Sequence, residues 1–322
     1  MNYKSKTLIT CLLLFISTLG IAQVRVGDFS YSSDKFKKLK EKDLKRFTNT
    51  ETVFVLPAVF PKSSYEHILD QVWDITPYKV VYKDDFTAND LKVDDALASF
   101  EFIEIEETTQ LGMEKSYSFI FLDFSIIDKV KKKKKENVWW SSRVGAIYFT
   151  PDIKMRQQVV MPSAEEEVIV GNLINFKLGY LKNYLQLVNK SLKNKKSIDI
   201  YYDHVFPELK NLKDHTLYID SSLLYGYNAL FGLEKKNPEL EKLMKEYPYK
   251  YEIVEYNTLE EKILNQKEDF YYLMWNQVNY NKIINIVNGK NGNLIYQDHT
   301  KMSFNIKPKD FKKISSKINK LN

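Results

Sequence analysis

The 322-residue chain reads as an α/β protein: two tandem mixed-sheet halves, taken as a duplication, joined by a long amphipathic helix. Three observations predict this. Strand-like apolar runs alternate with short helical patterns twice along the chain. An apolar period of three to four residues persists from about 164 to 194. The tripeptide Pro-Tyr-Lys occurs at 77–79 and 248–250, and a strand-like aromatic, Phe100 or Tyr271, follows 23 residues after each proline. The alternative to duplication is two ordinary α/β halves with coincidental punctuation.

Lys4 and Lys6 precede an apolar run, Leu8–Leu19, followed by Gly20 and Ala22 at small-x-small spacing. This is the layout of a cleavable export leader, with the cut expected after Ala22 and Gln23 as the new N-terminus. The run is shorter than the roughly 20 residues a membrane span needs. Cys11, the one cysteine, lies in the leader with Thr10 before it and apolar sequence after it, which does not fit a lipid-attachment site. The mature chain then has no thiol for a disulfide or a thiolate site. Chains of this length bury roughly three-quarters of their surface and do not need disulfides. The compact leader and the heavy use of Lys, Asn, Ile, Tyr and Phe point to a bacterial protein of the periplasm or cell surface.

Residues 23–50 form a lysine-rich lead-in, read as an extended arm or a short amphipathic helix through Phe36, Leu39 and Leu44. Thr52–Leu56 is a buried strand ended by Pro57. Ser63 or Ser64 caps a helix carrying Ile68, Leu69 and Val72. Tyr78–Tyr82 is a second strand, and Thr87 opens a short helix toward Ala96. Phe100–Ile105, Tyr117–Phe124 and Gly145–Phe149 are three more strands.

Ser163 and Glu166 have capping-box spacing ahead of Val170, Leu173, Ile174, Leu178, Leu181, Leu185, Val188 and Leu192. They predict a helix about 45 Å long at 1.5 Å per residue, with lysines at its negative C-terminal end.

The second half repeats the plan. Thr216–Ile219 is a strand, a helix starts at Pro238, and Tyr249–Val254 is a strand. Thr258 caps a helix, and Phe270–Trp275 is a strand. Asn288-Gly289-Lys290-Asn291-Gly292 marks a hairpin, and Ile306–Ile318 is a basic closing helix. The expected boundaries are a leader at 1–22, a lead-in at 23–50, a first half at 51–160, a linking helix at 161–196 and a second half at 197–322.

Of 48 basic and 42 acidic residues, two lysines leave with the leader, so the surplus falls from six to four. Arginine occurs only at 25, 46, 143 and 156. Nucleic-acid readers use arginine forks on clustered basic faces, so that partner class is excluded. No phosphate-cradling glycine loop occurs, and no cofactor or metal is expected. Three histidines follow an aspartate (Asp203-His204, Asp214-His215, Asp298-His299), but strand neighbours point to opposite faces. Asp220 and Ser221, beyond a strand's carboxyl end, together with His215, are the weak candidates for a catalytic group, without the glycine elbow a serine nucleophile needs.

The most distinctive surface feature is Lys131–Lys135 followed by Trp139 and Trp140. Consecutive ammonium groups repel and stay solvated. Tryptophan beside them suits an anionic polymer or a headgroup layer. Lys131, Lys133, Lys135, Trp139 and Trp140 are the candidate binding residues; the alternative is a solvated loop with both tryptophans folded onto the core. The sequence thus predicts an exported, non-catalytic envelope protein that binds a protein or polymer partner. The alternatives are a periplasmic hydrolase or transferase, or a small-ligand binder, with a site between the halves.

Overall fold

The computed structural model describes residues 23–30, 33–108, 112, 114–134, 137–155, 172–228, 233–235 and 239–321. The leader with Cys11, Lys135, the Ser163/Glu166 cap and Pro238 lie outside the described residues. Unit one comprises β1 (Val24–Val26), β2 (Asp28–Ser30), β3 (Ser33–Lys37), α1 (Glu41–Thr48), β4 (Thr52–Leu56), α2 (Lys62–Val72), β5 (Tyr78–Tyr82), β6 (Ala96–Thr108), β7 (Glu114–Lys131) and β8 (Val138–Phe149), followed by α3 (Leu178–Lys193). Unit two comprises β9 (His204–Val205), β10 (Leu217–Asp220), β11 (Gly226–Asn228), β12 (Leu233–Lys235), α4 (Leu240–Met244), β13 (Tyr251–Val254), α5 (Tyr256–Asn265), β14 (Tyr271–Val278), β15 (Asn281–Asn288), β16 (Leu294–Lys301) and α6 (Pro308–Lys320).

The chain is mixed α/β, with two six-stranded sheets. The first has the order β1-β8-β7-β6-β4-β5 and the second β9-β16-β15-β14-β10-β13. In each, the first long strand runs parallel to both its neighbours (β4 to β5 and β6, β10 to β13 and β14). In each, the remaining strands run antiparallel out to a short edge strand that precedes them in the chain. Strand order and direction therefore match position for position.

The repeated tripeptide does not mark this correspondence. Thr52 pairs with Tyr78 and Ala96, and Leu217 pairs with Tyr251 and Tyr271. Within the first sheet the level positions on β5 and β6, Tyr78 and Ala96, differ by 96 − 78 = 18, whereas Tyr251 and Tyr271 of the second differ by 271 − 251 = 20. The equal spacing of 23 residues is therefore not matched by equal strand register.

The lead-in is not an arm. Val24, Arg25 and Val26 are buried, and β1 pairs with Ile147, Ala146 and Gly145 of β8. Gly145 leaves room for this: a Cβ there would lie 2.9 Å from the Arg25 carbonyl oxygen. On α1, Leu44 and Phe47 enter the core. Thr87 caps only a single 3-10 turn, Ala88–Asp90.

The linking helix is shorter than its stripe implied. It starts at Leu178 and has 16 residues, about 24 Å. Asn175 explains the late start: its side chain accepts from the Thr150 N–H (2.7 Å) and donates to the Tyr148 carbonyl (3.1 Å), binding the chain to β8. Leu173 bridges Pro151, so this apolar residue belongs to non-helical backbone. Nor is α3 amphipathic in place, because 12 of its residues are buried. Its polar residues are answered inside. Lys182 donates to the carbonyls of Ile263 and Leu264 at the end of α5 (3.2 and 3.1 Å). Asn183 joins Gly289 and the Tyr272 hydroxyl. Asn189 binds the backbone N–H groups of Asp74 and Ile75 in unit one (3.3 and 3.1 Å).

One apolar cluster runs through the junction, from Phe54, Leu56, Phe124 and Ile147 of the first sheet, through Tyr180, Leu181, Tyr184 and Val188, to Tyr272, Met274 and Val287 of the second. The far face of the second sheet packs under α6, with Ile219, Leu273, Trp275, Phe311 and Ile314 buried. Among the described residues no helix is long and apolar enough to cross a membrane.

Candidate functional site

The β7–β8 hairpin carries the lysine cluster. Lys131 ends β7, and Lys132, Lys133 and Lys134 follow it, all exposed. The turn is anchored at Asn137, whose N–H donates to the Asn89 side chain (3.1 Å) and whose amide donates to the Asn89 carbonyl (3.2 Å). Below it, Val130 faces Trp139 and Lys129 faces Trp140, next to a register shift between Ile127 and Lys129. Such a bulge re-aims the side chains beyond it.

The two tryptophans part company. Trp139 is half-buried against the cluster of Leu91, Leu97 and Ile127. Trp140 is 47% exposed, with the Lys129 ammonium 5.3 Å from its ring. That contact is a cation–π pair, which holds the ring beside the cations. The bulge that brings Lys129 to Trp140 has no mark in the sequence.

The hairpin rests on a rigid base. Arg46 of α1 forks to Asp94 and Asp128 (2.6 Å each) and donates to the Ile127 carbonyl (3.0 Å). Ser142 holds the second oxygen of Asp128 (2.8 Å). The geometry therefore offers a projecting cluster of ammonium groups with one indole beside it on an ordered stem.

Asp220, Ser221 and His215 do not converge. Asp220 ends β10, Ser221 follows it, and His215 precedes the same strand. Four residues at about 3.3 Å each separate the two ends. His215 is exposed, with Nδ1 2.9 Å from the Asn211 carbonyl and its ring edge-on to Tyr271. Ser221 donates to Glu255 (2.9 Å). Asp220 is fully buried: one oxygen accepts from Tyr180 (2.8 Å) and Lys177 (3.5 Å), the other from the Ser222 N–H (2.9 Å). Burial and the neighbouring carboxylate push the Tyr180 phenol well above its ordinary range, so it stays a donor. Every polar atom of this carboxylate is answered. The group fastens α3 to β10.

His204 and His299 sit on neighbouring strands, both partly buried. Burial lowers both imidazoles below their ordinary value. His299 Nε2 lies 2.9 Å from the Asn281 side-chain oxygen. Among the described residues no group of three or more His, Cys, Asp or Glu side chains could hold a metal ion. A groove of about 590 Å³ lies between α2 and β5, lined by Lys62, Glu66, Asp70, Tyr78 and Lys79, within unit one rather than at the junction. Set against family models, curated proteins and solved structures, the chain matches none of them.

Proposed function

We propose that this chain is an exported, non-catalytic envelope protein of a bacterium that docks on an anionic surface through the β7–β8 hairpin. In this reading the leader is cut after Ala22 and the mature chain works in the periplasm or on the cell surface. The observation that carries it is the exposed series Lys131–Lys134 with Trp140 held beside it by Lys129. Each lysine brought to a negatively charged bilayer contributes about 1 kcal/mol, so four give about 4 kcal/mol, a millimolar contact. Such a contact suits a densely repeated ligand, the phosphates or carboxylates of a headgroup layer or envelope polymer. Trp140 adds an amphipathic ring of the kind that settles at headgroup depth.

The other readings have less behind them. The divergence of His215 from Ser221 removes the expected catalytic pair. A hinged cleft requires lobes that part, whereas α3 sits in an apolar cluster shared by both sheets. We also infer a duplication, supported by the matching order and direction of all six strands in each sheet.

The test is co-sedimentation of the purified mature chain with vesicles of anionic or zwitterionic lipid and, separately, with an insoluble anionic polysaccharide. Retention on an anionic arm, lost when Lys131, Lys132, Lys133 and Lys134 become Gln, supports the reading. The arm that retains it identifies the source. Retention of neither kind, or equal retention of the variant, overturns it.

A further inference from the structure

We propose that the chain, once folded, joins Lys282 to Asp310 by an intramolecular amide bond that ties the second sheet covalently to its closing helix. The inference stands apart from the leader and from the hairpin. Lys282 lies in β15 and Asp310 in the first turn of α6, with Nζ 2.6 Å from Oδ2 and the side chains 0% and 1% exposed. The carboxyl carbon is one C–O bond beyond that oxygen, so Nζ stands close to the roughly 3–3.5 Å of a near-attack contact. By strand alternation Lys282 shares its face with Ile284, and the apolar cluster there includes Trp275, Ile306 and Phe311. Two buried oxygens in this region lack a hydrogen-bond partner: Oδ1 of Asp310 and Oε1 of Gln277, the residue level with Lys282 in the β14–β15 register.

Two buried charges are costly to hold even when paired, because both give up water. The ion pair is the form in which the chain folds, and it contains every atom the amide needs. One ammonium hydrogen passes to Oδ1, leaving a neutral amine beside a carboxylic acid. Burial favours the neutral amine and lowers the Lys282 pKa; Asp310 opposes this, and Lys307 and Lys309 add to it. Nζ then attacks Cγ and a C–N bond forms. The Cγ–Oδ1 bond breaks, a second nitrogen hydrogen passes to the departing oxygen, and water leaves. No oxidant, reductant or co-reactant is required. The product is neutral. It keeps Oδ2, which accepts the Lys307 N–H, and sheds the oxygen that had no donor. Its new N–H has the Gln277 oxygen as an acceptor at the same level of the sheet.

The experiment is peptide mapping by mass spectrometry of the purified full-length chain, folded and sampled over time. The expected product is a branched peptide that joins the segment carrying Lys282 to the segment carrying Asp310. It is lighter by one water than the two linear peptides together, and fragmentation places the branch at those two residues. Its share should rise with time in the folded chain and stay at zero in chain held unfolded in urea. Lys282→Arg keeps the positive charge but offers no amine, and should give linear peptides only. Linear peptides alone from the folded wild-type chain overturn the proposal. So does a branched peptide that forms equally in urea, or one that persists in the Lys282→Arg variant.

Discussion

The Lys282 ammonium lies 2.6 Å from the Asp310 carboxylate, and both side chains are buried, at 0% and 1% exposure. Lys282 is a central-strand residue of β15, and Asp310 also accepts the Lys307 N–H at the start of α6 (2.7 Å). The pair joins the second sheet to its closing helix. Removing one partner strands the other charge in the interior.

Lys282→Met is therefore expected to destabilise the chain by about 3–5 kcal/mol. Adding Asp310→Asn, which leaves an oxygen for the helix cap, should recover part of that loss. Urea denaturation of the single and double variants measures both; a double variant as unstable as the single would contradict the pairing argument.

Tyr180→Phe removes one of the three donors to the buried Asp220. The cost is expected at about 1–3 kcal/mol, that of leaving a buried acceptor short of a partner. Chemical denaturation reads it directly, and a loss below a few tenths would show that Asp220 does not need the phenol.

The tryptophans should separate stability from binding. Trp139→Ala opens the small cluster with Leu91, Leu97 and Ile127, and its thermal midpoint should fall. Trp140→Ala should leave stability within about 0.5 kcal/mol, as for exposed sites, while weakening retention on the anionic surface. The reverse pattern would mean that the roles assigned to the two rings are exchanged.

Burial holds His204 and His299 below the ordinary imidazole pKa of about 6.5. The unfolded chain then takes up protons first as pH falls. Their contribution to stability is intact above that value and is lost as pH drops through it toward the lower folded values. The thermal midpoint should fall across this window, and the double variant His204→Gln, His299→Gln should fall less. Identical slopes would assign the pH dependence to other groups.

The β15–β16 turn tests packing. A Cβ on Gly289 would lie 2.0 Å from the Phe270 ring, so Gly289→Ala must displace a buried aromatic. A cost of about 1–3 kcal/mol is expected, the usual range for overpacking. An unchanged denaturation midpoint would show that Phe270 moves freely.

Strands and the Asn288–Gly292 turn were legible because their signals are local: apolar runs between turn residues, and glycines where the chain reverses. β1 is hidden, because Val24-Arg25-Val26, a charge between two valines, reveals its burial only through the β8 partner, 147 − 24 = 123 residues on from Val24. The start of α3 is not legible in the sequence, because Leu173 keeps helical periodicity while Asn175 bonds the backbone of β8. Lys177, Tyr180 and Asp220 are 43 residues apart at the extremes, and a cluster built by tertiary contact has no spacing to detect. The lysine run and its tryptophans were visible as composition, but only the pairing of Lys129 with Trp140 shows which ring faces outward.

The most direct test of anionic-surface docking is a titration of the mature chain with anionic vesicles at increasing salt. Steep weakening as the screening length drops from about 10 Å at 0.1 M toward about 3 Å at 1 M is expected, together with a flat, weak response from the variant with Lys131–Lys134 replaced by Gln. Salt-independent binding, or curves that coincide for the two proteins, would contradict it.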